Sequence, residues 1–393
     1  MAQDRTRRLT LRDVAAELGV SAKTVSNAYV HPDQLSAELR QRIIATAARL
    51  GYPGPDPVAA GLRRGRVGAI GVAYDNRLSY AFDDPTTSAL LAGITTVAEA
   101  AGAGLLLLPG SSDHQRRTAV VTNAVIDGLI ASSVSDEDPL LRTVIIRRLP
   151  LVVIDQPSPD RLAQLGAAAA PWVGIDDQAA ADAAAEHLLQ LGHRNLGVVS
   201  FGLSRGRSAG FADQDAQATA TYAVTRRRLA GYRTAAERYG IDWTAVPVWA
   251  GTDSTADQGD AGVAAVLART PRPTALLCLS DRLAEGALRA AARFGLLIPD
   301  DLSIAAFDDA VPLAATLNLT TVRQPSRDKG ERAARALLDL LAGHQVAPCQ
   351  LLPTELIIRR SSAHTTPPSL SPTERGGKSR QATELPANGP DLL

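Results

Sequence analysis

The sequence predicts a small all-α helix-turn-helix domain followed by an α/β core of two doubly wound, parallel-sheet lobes. A helix–glycine–helix pattern occupies the first 50 residues, apolar strand-like runs alternate with helical stretches from residue 67, and this alternation restarts near residue 172. Strands that alternate with helices predict parallel sheets covered on both faces. At 393 residues the chain is also too long for one ordinary domain.

Three short helices are predicted in residues 1–55. The first has apolar residues at helical spacing, namely Val14, Ala15 and Leu18. Gly19 supplies a left-handed residue that ends this helix, and Ser21 is a suitable N-cap for a second helix that begins at Ala22. A third helix is expected from the N-cap Ser36 to the stop at Gly51. Together the three helices share one small core.

The second helix presents small and polar side chains that suit a major groove of DNA. Lysine donates to guanine and asparagine pairs with adenine, so Lys23 and Asn27 are candidate base contacts. Ser21 and Thr24 suit phosphate oxygens, which set register without carrying sequence information. The DNA-binding residues predicted in this domain are Thr10, Ser21, Ala22, Lys23, Thr24, Ser26 and Asn27. The alternative is a generic small helical domain, for which such periodicity is also typical.

Charge favours the nucleic-acid interpretation. Residues 1–66 contain eleven basic and six acidic residues, a net charge of +5, although the whole chain has 41 of each kind. The basic excess therefore lies in the segment that is expected to meet phosphate.

The segment 53–66 separates this domain from the core. Prolines at 53, 55 and 57 prevent the third helix from continuing, and Asp56 followed by Pro57 suits the start of another helix. A helix over 58–64 is too short to persist alone in water, so it requires a partner surface. A plain interdomain linker is the alternative.

Three segments of the first 72 residues carry a family resemblance: VSAKTVSNAYV, SAELRQRIIATAARLGY and PDPVAAGLRRGRVGAIGV. They resemble the N-terminus of the lactose-repressor/galactose-repressor family of bacterial transcription factors, and the similarity continues to about Arg359. In that family the Thr-Val-Ser triplet, here residues 24–26, lies in the recognition helix. The resemblance implies a hinge helix over 56–66, with Leu62 as a minor-groove wedge and Arg63 near the DNA backbone.

The core divides into two lobes of the periplasmic-binding-protein type. Strands are predicted at 67–74, 105–108, 128–132, 151–154, 172–176, 195–200, 245–250, 274–279, 302–307 and 354–358, with helices between them. The resemblance implies three crossings between lobes, so the first lobe is expected to contain 67–174 and 324–346. The second is expected to contain 175–323 and 350–360, and a disordered tail is expected over 361–393.

Ligands of open parallel sheets bind beyond the carboxyl ends of the strands, so the cleft between the lobes is the expected small-molecule site. Tyr80 and Phe82 offer rings that can stack on a sugar-like face. The resemblance implies effector contacts from Arg228 and Asp281, and from Phe307 and Gln324 at the cleft. Without the resemblance, Arg228 and Asp281 are equally well interpreted as surface or helix-cap groups. The polar segment 201–221 either folds over the cleft or is an unstructured insertion.

Parts of the sequence are also compatible with two other functional classes. Gly202, Ser204 and Gly206 fit the G-x-S-x-G pattern of a serine hydrolase, but a polar run replaces the helix that should follow. A solute-binding protein without DNA function shares the two-lobed architecture. The six histidines show no paired metal-ligand spacing, so neither a metal nor a cofactor is predicted.

The sequence thus predicts a transcriptional repressor whose affinity for a roughly palindromic operator is controlled by a sugar or related metabolite. The resemblance implies a homodimer, since family members that form tetramers use a C-terminal leucine-heptad helix and none is visible in this sequence. Two cysteines, Cys278 and Cys349, do not form the framework of a secreted protein. With no signal peptide and no membrane span in the pattern, a cytoplasmic protein is expected.

Overall fold

The structure is a computed structural model that describes residues 9–54, 66–111, 113–310 and 312–365. The expected hinge helix, with Leu62 and Arg63, lies outside the described residues, and so does 366–393.

The N-terminal domain contains helices α1 (Leu11–Leu18), α2 (Ala22–Val30) and α3 (Ala37–Leu50), as the sequence predicts. Gly19 and Gly51 end α1 and α3 with φ angles of 65° and 77°, a left-handed conformation that favours glycine. The hydroxyl groups of Ser21 and Ser36 cap α2 and α3. The three helices pack on a shared core of Val14, Ala15, Val25, Ala28, Ile43, Ala47 and Tyr52.

Thirteen strands are present in the described part of the core. They are β1 (Ala69–Tyr74), β2 (Gly104–Leu108), β3 (Gly128–Ser132), β4 (Leu151–Ile154), β5 (Trp172–Ile175), β6 (Leu196–Ser200), β7 (Gly210–Phe211), β8 (Val248–Ala250), β9 (Ala275–Cys278), β10 (Ser303–Asp308), β11 (Thr320–Arg323), β12 (Cys349–Leu352) and β13 (Glu355–Ile357).

The helices of the described core follow the alternation that the sequence predicts. They are α4 (Leu78–Asp83), α5 (Pro85–Ala100), α6 (His114–Thr122), α7 (Pro139–Ile146), α8 (Pro159–Gln164), α9 (Asp177–Gln190), α10 (Gln214–Ala218), α11 (Ala223–Arg238), α12 (Ala256–Leu267), α13 (Asp281–Arg293), α14 (Leu313–Thr316) and α15 (Ser326–Ala342).

The strands form two sheets. The first has the order β12-β5-β4-β3-β1-β2 and is parallel throughout. The second has the order β13-β11-β10-β9-β6-β8-β7, in which only the edge strands β7 and β13 run antiparallel to their neighbours. Buried aliphatic side chains fill the space between sheets and helices, so most strands are buried along their whole length. The predicted α/β architecture with two lobes is confirmed.

The chain passes between the two sheets after β5, after β11 and after β12. Helix α15 packs on α5 and on β3, β4 and β5, and so belongs with the first sheet, as expected. Strand β12 also joins the first sheet, where Leu352 lies opposite Ile175. Residues 350–352 therefore lie in the first lobe rather than in the second, because their backbone completes the open edge beside β5. The expected second-lobe strand near 354–358 is present as β13.

Residues 361–365 differ from the expected disordered tail. The Ser361 hydroxyl accepts a hydrogen bond from the backbone nitrogen of Thr320 and donates to the carbonyl oxygen of Ile304, both at 2.7 Å. His193 Nε2 lies 3.0 Å from the carbonyl oxygen of Ala363. Because these polar groups find partners on the second lobe, the ordered chain extends past residue 360.

The segment 201–221 is partly structured. It contains β7, which pairs with β8 at the edge of the second sheet, and the short helix α10. Trp243 Nε1 donates to the side chain of Gln217, and β7 pairs with β8, so the middle and the C-terminal part of the segment are tied to the second lobe. Along the part of the chain that the structure describes, no helix is both long enough and apolar enough to cross a membrane.

Candidate functional site

The start of α2 presents a polar surface. The Ser21 hydroxyl accepts from the backbone nitrogen of Thr24 at 3.0 Å and lies 2.8 Å from the Thr24 hydroxyl. Val25 and Ala28 are buried against α1 and α3, which leaves Lys23 exposed beside the cap and Ser26 partly exposed. A helix N-terminus with free donors and an exposed lysine is a surface that attracts phosphate or acceptor-rich base edges.

Two other predicted DNA-contacting residues have local partners. Thr10 caps α1, where both its backbone nitrogen and its hydroxyl bond to the carboxylate of Asp13. Asn27 Nδ2 donates to Gln34 Oε1 at 3.0 Å in the turn that follows α2. Within the part of the chain that the structure describes, this is the hydrogen bond of the Asn27 side chain, so its oxygen and one amide hydrogen are left for a further partner.

A cavity of about 730 Å³ lies between the two lobes of the described core. Residues at the carboxyl ends of strands from both sheets line it, where parallel sheets place their ligand sites. The first lobe contributes the segments after β1, β3 and β4, and the second contributes those after β6, β8 and β10. Of the six predicted effector-binding residues, Tyr80, Arg228 and Gln324 line the cavity.

Arg228 is fixed from several sides. Its Nε donates to Asp177 Oδ1 at 2.8 Å and its Nη1 donates to the carbonyl oxygen of Leu279 at 2.7 Å. The guanidinium carbon lies 3.5 Å from the ring centroid of Phe307, which is itself fully buried. Phe307 lies outside the cavity lining and supports Arg228 from below through a cation–π contact. This packing holds the guanidinium at the cavity wall.

A chain of one ion pair and three hydrogen bonds continues from Arg228 toward the first lobe. Arg228 Nη1 lies 3.5 Å from Asp308 Oδ1, and Gln324 Nε2 donates to the same oxygen at 2.5 Å. Gln324 Oε1 accepts from Lys329 Nζ at 2.6 Å, and Lys329 donates to Asp155 Oδ1 at 2.6 Å. The chain therefore joins α11 and β10 of the second lobe to α15 and β4 of the first.

Two acidic groups along this wall, Asp308 and Asp84, have raised pKa values. Burial raises the pKa of Asp308 to about 7, against the opposing effect of the nearby Arg228. Burial also raises the pKa of Asp84, although hydrogen bonds from Thr87 act in the other direction. The cavity thus combines buried carboxyl groups with two buried cations, Arg228 and Lys329, that already have acidic partners.

The two aromatic candidates have different positions. Tyr80 lies on α4, stacks on Tyr74 with ring centroids 6.5 Å apart, and donates to the carbonyl oxygen of Ser254 across the cleft at 2.9 Å. Phe82 lies two residues further along the same helix and is 64% exposed, outside the cavity lining. Successive helical residues point 100° apart, so Tyr80 and Phe82 face different surroundings.

Asp281 lies beneath the cavity rather than in its wall. Its side chain is fully buried, and its two oxygens accept from the backbone nitrogen of Ala310 at 2.8 Å and from the Thr321 hydroxyl at 2.7 Å. Both oxygens have protein partners in this structure. Asp281 therefore ties the start of α13 to the segment after β10 and to the start of β11, close to Ser280, which lines the cavity.

Arg205, from the segment 201–221, reaches across the cleft. It pairs with Asp138 Oδ2 at 2.7 Å and with Asp75, and donates to the carbonyl oxygen of Ser111, all on the first lobe. Asp138 in turn pairs at 3.0 Å with Arg117, and both of these side chains are fully buried. Asn76 Nδ2 adds a second bridge to Asp253 Oδ1 at 2.8 Å. The structure therefore shows the lobes in contact around the cavity.

Sequence reasoning missed several charged residues of this wall, among them Asp155, Arg205 and Lys329. One signal was available for Lys329. It shares a helical face with Ala333 and Leu337, which are both buried, so its spacing places a lysine on the apolar stripe of α15. The bridge from Arg205 had no such signal, because its partners are remote in sequence.

The hydrolase alternative finds no support in the geometry. Ser204 Oγ accepts a hydrogen bond from the backbone nitrogen of Thr221 at 3.2 Å, and in the described part of the chain no hydrogen bond joins Ser204 to a histidine. A serine nucleophile needs such a base within hydrogen-bond reach.

Comparison with known proteins agrees with the two-part architecture. The family model for bacterial regulatory proteins, lacI family, matches residues 10–54, and that for a periplasmic binding protein-like domain matches residues 185–362. An HTH-type transcriptional regulator of Mycobacterium tuberculosis is 41% identical over 334 residues, covering 84% of this chain and 91% of that protein. The chain belongs to the LacI family of bacterial regulatory proteins. The HTH-type transcriptional regulator IpsA of Corynebacterium glutamicum is 39% identical, covering 86% of this chain and 93% of IpsA.

Solved structures of LacI-family regulators share the fold. The lac repressor dimer bound to its operator and an anti-inducer superposes with a TM-score of 0.71 and 26% identity, over 91% of this chain and all of that one. A LacI-family regulator from Corynebacterium glutamicum gives a TM-score of 0.68 at 34% identity, over 93% of this chain and all of that one. This LacI-family chain is a DNA-binding transcriptional regulator, and its relatives are regulators rather than enzymes.

Proposed function

We propose that this LacI-family regulator is a homodimeric repressor whose operator affinity is controlled by a small polyhydroxyl effector bound between the lobes. The observation that carries the proposal is the cavity of about 730 Å³, enclosed by charged and hydroxyl groups from both lobes of a protein with an N-terminal DNA-binding domain. Because its target is DNA, we expect the regulator to act in the bacterial cytoplasm.

The DNA contacts are assigned to the start of α2. Lys23 and Asn27 reach base edges, whereas Ser21 and Thr24 bond to phosphate oxygens. Ala22 and Ser26 complete the surface, and Thr10 contacts the backbone from the start of α1. Leu62 and Arg63 are assigned to the minor groove and the DNA backbone on the resemblance alone.

The effector contacts are assigned by position in the cavity. Arg228 and Gln324 offer donors and acceptors to hydroxyl groups, and Tyr80 offers a ring face. Asp281 and Phe307 act indirectly, because they hold Ser280 and Arg228 in place. Phe82 lies outside the cavity lining, so we assign it no direct contact with the bound effector.

We assign closure of the two lobes to the hydrogen bonds and ion pairs that cross the cleft. Arg205, Tyr80 and Asn76 each bond to a residue of the opposite lobe. A ligand that fills the cavity stabilises the arrangement in which these bonds form, and so shifts the population toward closed lobes.

Helix α15 provides a physical connection between the cavity and the DNA-binding segment. Lys329, in its first turn, lines the cavity, and the carbonyl oxygen of Leu341, in its last turn, accepts a hydrogen bond from Arg66. Twelve residues of helix separate these positions, about 18 Å. Movement of α15 with the effector therefore changes the position of the chain that enters the hinge.

Two subunits place their α2 helices in successive major-groove turns, so the operator is roughly palindromic. Support comes from the lac repressor, whose solved structure is a dimer on its operator, and from the regulator CelR, solved as a complex with cellobiose. The test is binding of the full-length protein to the DNA upstream of its own gene and to a random duplex, with and without neutral sugars. A specific, salt-sensitive complex that a sugar shifts supports the proposal. A ligand that binds without changing operator affinity contradicts it.

A further inference from the structure

Lys329 is a buried cation at the cavity wall. Its side chain is 1% exposed, yet it lines the cavity, and it donates to Asp155 Oδ1 and to Gln324 Oε1, each at 2.6 Å. An ammonium group carries three N–H donors, and these two oxygens use two of them. Among the described residues no other acceptor engages Lys329 Nζ, so its third donor is left for the cavity. Because a buried charge without its full set of hydrogen bonds is costly, this donor needs a partner there.

Asp155 has a matching free acceptor. Among the described residues, hydrogen bonds to its carboxylate engage Oδ1, and the side chain is 16% exposed at the cavity. The backbone of Asp155 is held at φ 62° by a bond from its nitrogen to the carbonyl oxygen of Val173 and by a bond from Trp172 Nε1 to its own carbonyl oxygen. A free carboxylate oxygen therefore lies at a fixed position beside the free ammonium donor.

The charges of the wall decide between ligand classes. Each buried cation already has an acidic partner, since Lys329 pairs with Asp155 and Arg228 pairs with Asp177 and Asp308. Beside Lys329 and Arg228, an anionic group would meet these carboxylates with no unpaired buried cation next to it, because Arg77 and Arg207, the lining arginines without an acidic partner among the described residues, are exposed. A neutral hydroxyl group accepts from the ammonium and donates to the carboxylate, so a hydroxylated ligand satisfies both.

We propose that Lys329 and Asp155 form a ligand-recognition pair that reads two neighbouring hydroxyl groups of a neutral effector, and so determines which polyhydroxyl compound the regulator accepts. Lys329 Nζ donates to one ligand oxygen while Asp155 Oδ2 accepts from the adjacent hydroxyl. The proposal rests on the proposed effector function and names the ligand group that this part of the cavity takes.

The test is calorimetric titration of the full-length protein with D-ribose, D-glucose and cellobiose, each beside analogues that lack one hydroxyl. D-gluconate and ribose 5-phosphate serve as anionic counterparts. For the wild type, we expect a neutral compound to bind, and removal of one of its hydroxyl groups to lower affinity about 10- to 100-fold, as loss of a hydrogen bond to a charged group does. Binding of the anionic compounds alone, or of no compound, overturns the proposal.

The variant Lys329→Met removes the donor and keeps the length of the side chain. We expect it to lose about 10- to 100-fold in affinity for the hydroxylated compound and to bind that compound and its deoxy analogue equally. A purely structural role would weaken both compounds alike and preserve their ratio, which would overturn the proposal. Because Lys329→Met leaves Asp155 unpaired, the double variant Lys329→Met/Asp155→Asn provides a neutral wall, and it should be folded and equally unable to discriminate.

The matched control is Arg332→Met, which removes an exposed cation from the same helix. It should leave both affinities unchanged.

Operator binding without ligand, measured for every variant, separates the two hypotheses. If the wild type binds operator and responds to a sugar while Lys329→Met still discriminates hydroxyl groups, the recognition pair is refuted and the regulatory function stands. If no compound alters operator binding of the wild type although calorimetry shows discrimination, the regulatory function is refuted and the pair stands.

Discussion

At the scale of single residues, the cavity wall is built from charges that hold each other in place. Arg228 is held by Asp177, by the carbonyl oxygen of Leu279 and by the Phe307 ring, so its position does not depend on bound ligand. Breaking a buried pair by removing one partner typically costs about 3–5 kcal/mol, because the other charge remains buried. The wall is therefore preorganised, which lowers the entropy cost of binding.

Asp308 should make stability depend on pH. Burial raises its pKa from 3.8 to about 7, so the folded protein holds a proton between these values that the unfolded chain has released. The free energy of unfolding contributed by Asp308 therefore falls as pH rises through this window and levels off above about 7. Urea unfolding from about pH 5 to pH 8 should show the difference between wild type and Asp308→Asn shrinking or reversing as pH rises. A constant difference would contradict this, and Asp83→Asn, at an exposed carboxyl group, is the control.

Lys23 should contribute to operator recognition. It is exposed at the start of α2 beside the Ser21 cap. We expect Lys23→Ala to weaken specific binding by about 1–3 kcal/mol and to affect a random duplex less, because a lost base contact is sequence-dependent. Fluorescence anisotropy with both duplexes measures the difference. Equal weakening of binding to the specific and the random duplex, with a smaller salt dependence, would assign Lys23 to a phosphate contact instead. The control is Arg233→Ala, on α11 of the second lobe, which should change the affinity for neither duplex.

At the scale of elements, α15 and α5 approach so closely that glycine is required on both. A Cβ atom at Gly93 would lie 2.1 Å from the carbonyl oxygen of Arg327, and one at Gly330 would lie 2.1 Å from that of Leu90. This contact fixes α15 against the first lobe, and with it the Lys329 side chain at the cavity and the Leu341 carbonyl group near Arg66. The helix therefore moves with the first lobe as one unit.

Replacement of Gly93 by alanine should destabilise this contact. We expect Gly93→Ala to lower the free energy of unfolding by about 1–3 kcal/mol, because the backbone of α15 must shift to admit a methyl group. The control is Gly210→Ala on β7, where a Cβ atom meets nothing within 4 Å. Urea unfolding measures both variants, and equal stabilities would show that the two helices separate easily.

Arg205 should hold the lobes together when ligand is bound. Its partners Asp75, Asp138 and Ser111 all lie on the first lobe, so Arg205→Met removes bonds that exist when the lobes are in contact. We expect weaker ligand binding, by about tenfold or more, with operator affinity in the absence of ligand unchanged. Titration calorimetry and anisotropy measure the two quantities. Unchanged ligand affinity would remove Arg205 from the closure mechanism.

At the scale of the whole molecule, the sequence predicted the features that depend on neighbouring residues better than those that depend on contacts between remote residues. Caps and turn glycines such as Ser21, Ser36 and Gly51 depend on nearby residues, so the helices of the N-terminal domain agree with the sequence. The strand β12 and the packed segment 361–365 depend on which sheet edge or polar group is free elsewhere, and hydrophobic periodicity does not encode this. The same holds for the site, where Arg228 was found by resemblance but the bridge from Arg205 to Asp138 required coordinates.

The central claim is that the cavity and the DNA-binding domain are thermodynamically coupled. The most direct measurement is a reciprocal titration, in which operator affinity is measured with and without a saturating sugar and sugar affinity is measured with and without operator. The account predicts that both affinities change by the same factor, about 5- to 150-fold for a typical coupling of 1–3 kcal/mol. A sugar that binds in the cavity and leaves operator affinity unchanged would contradict it.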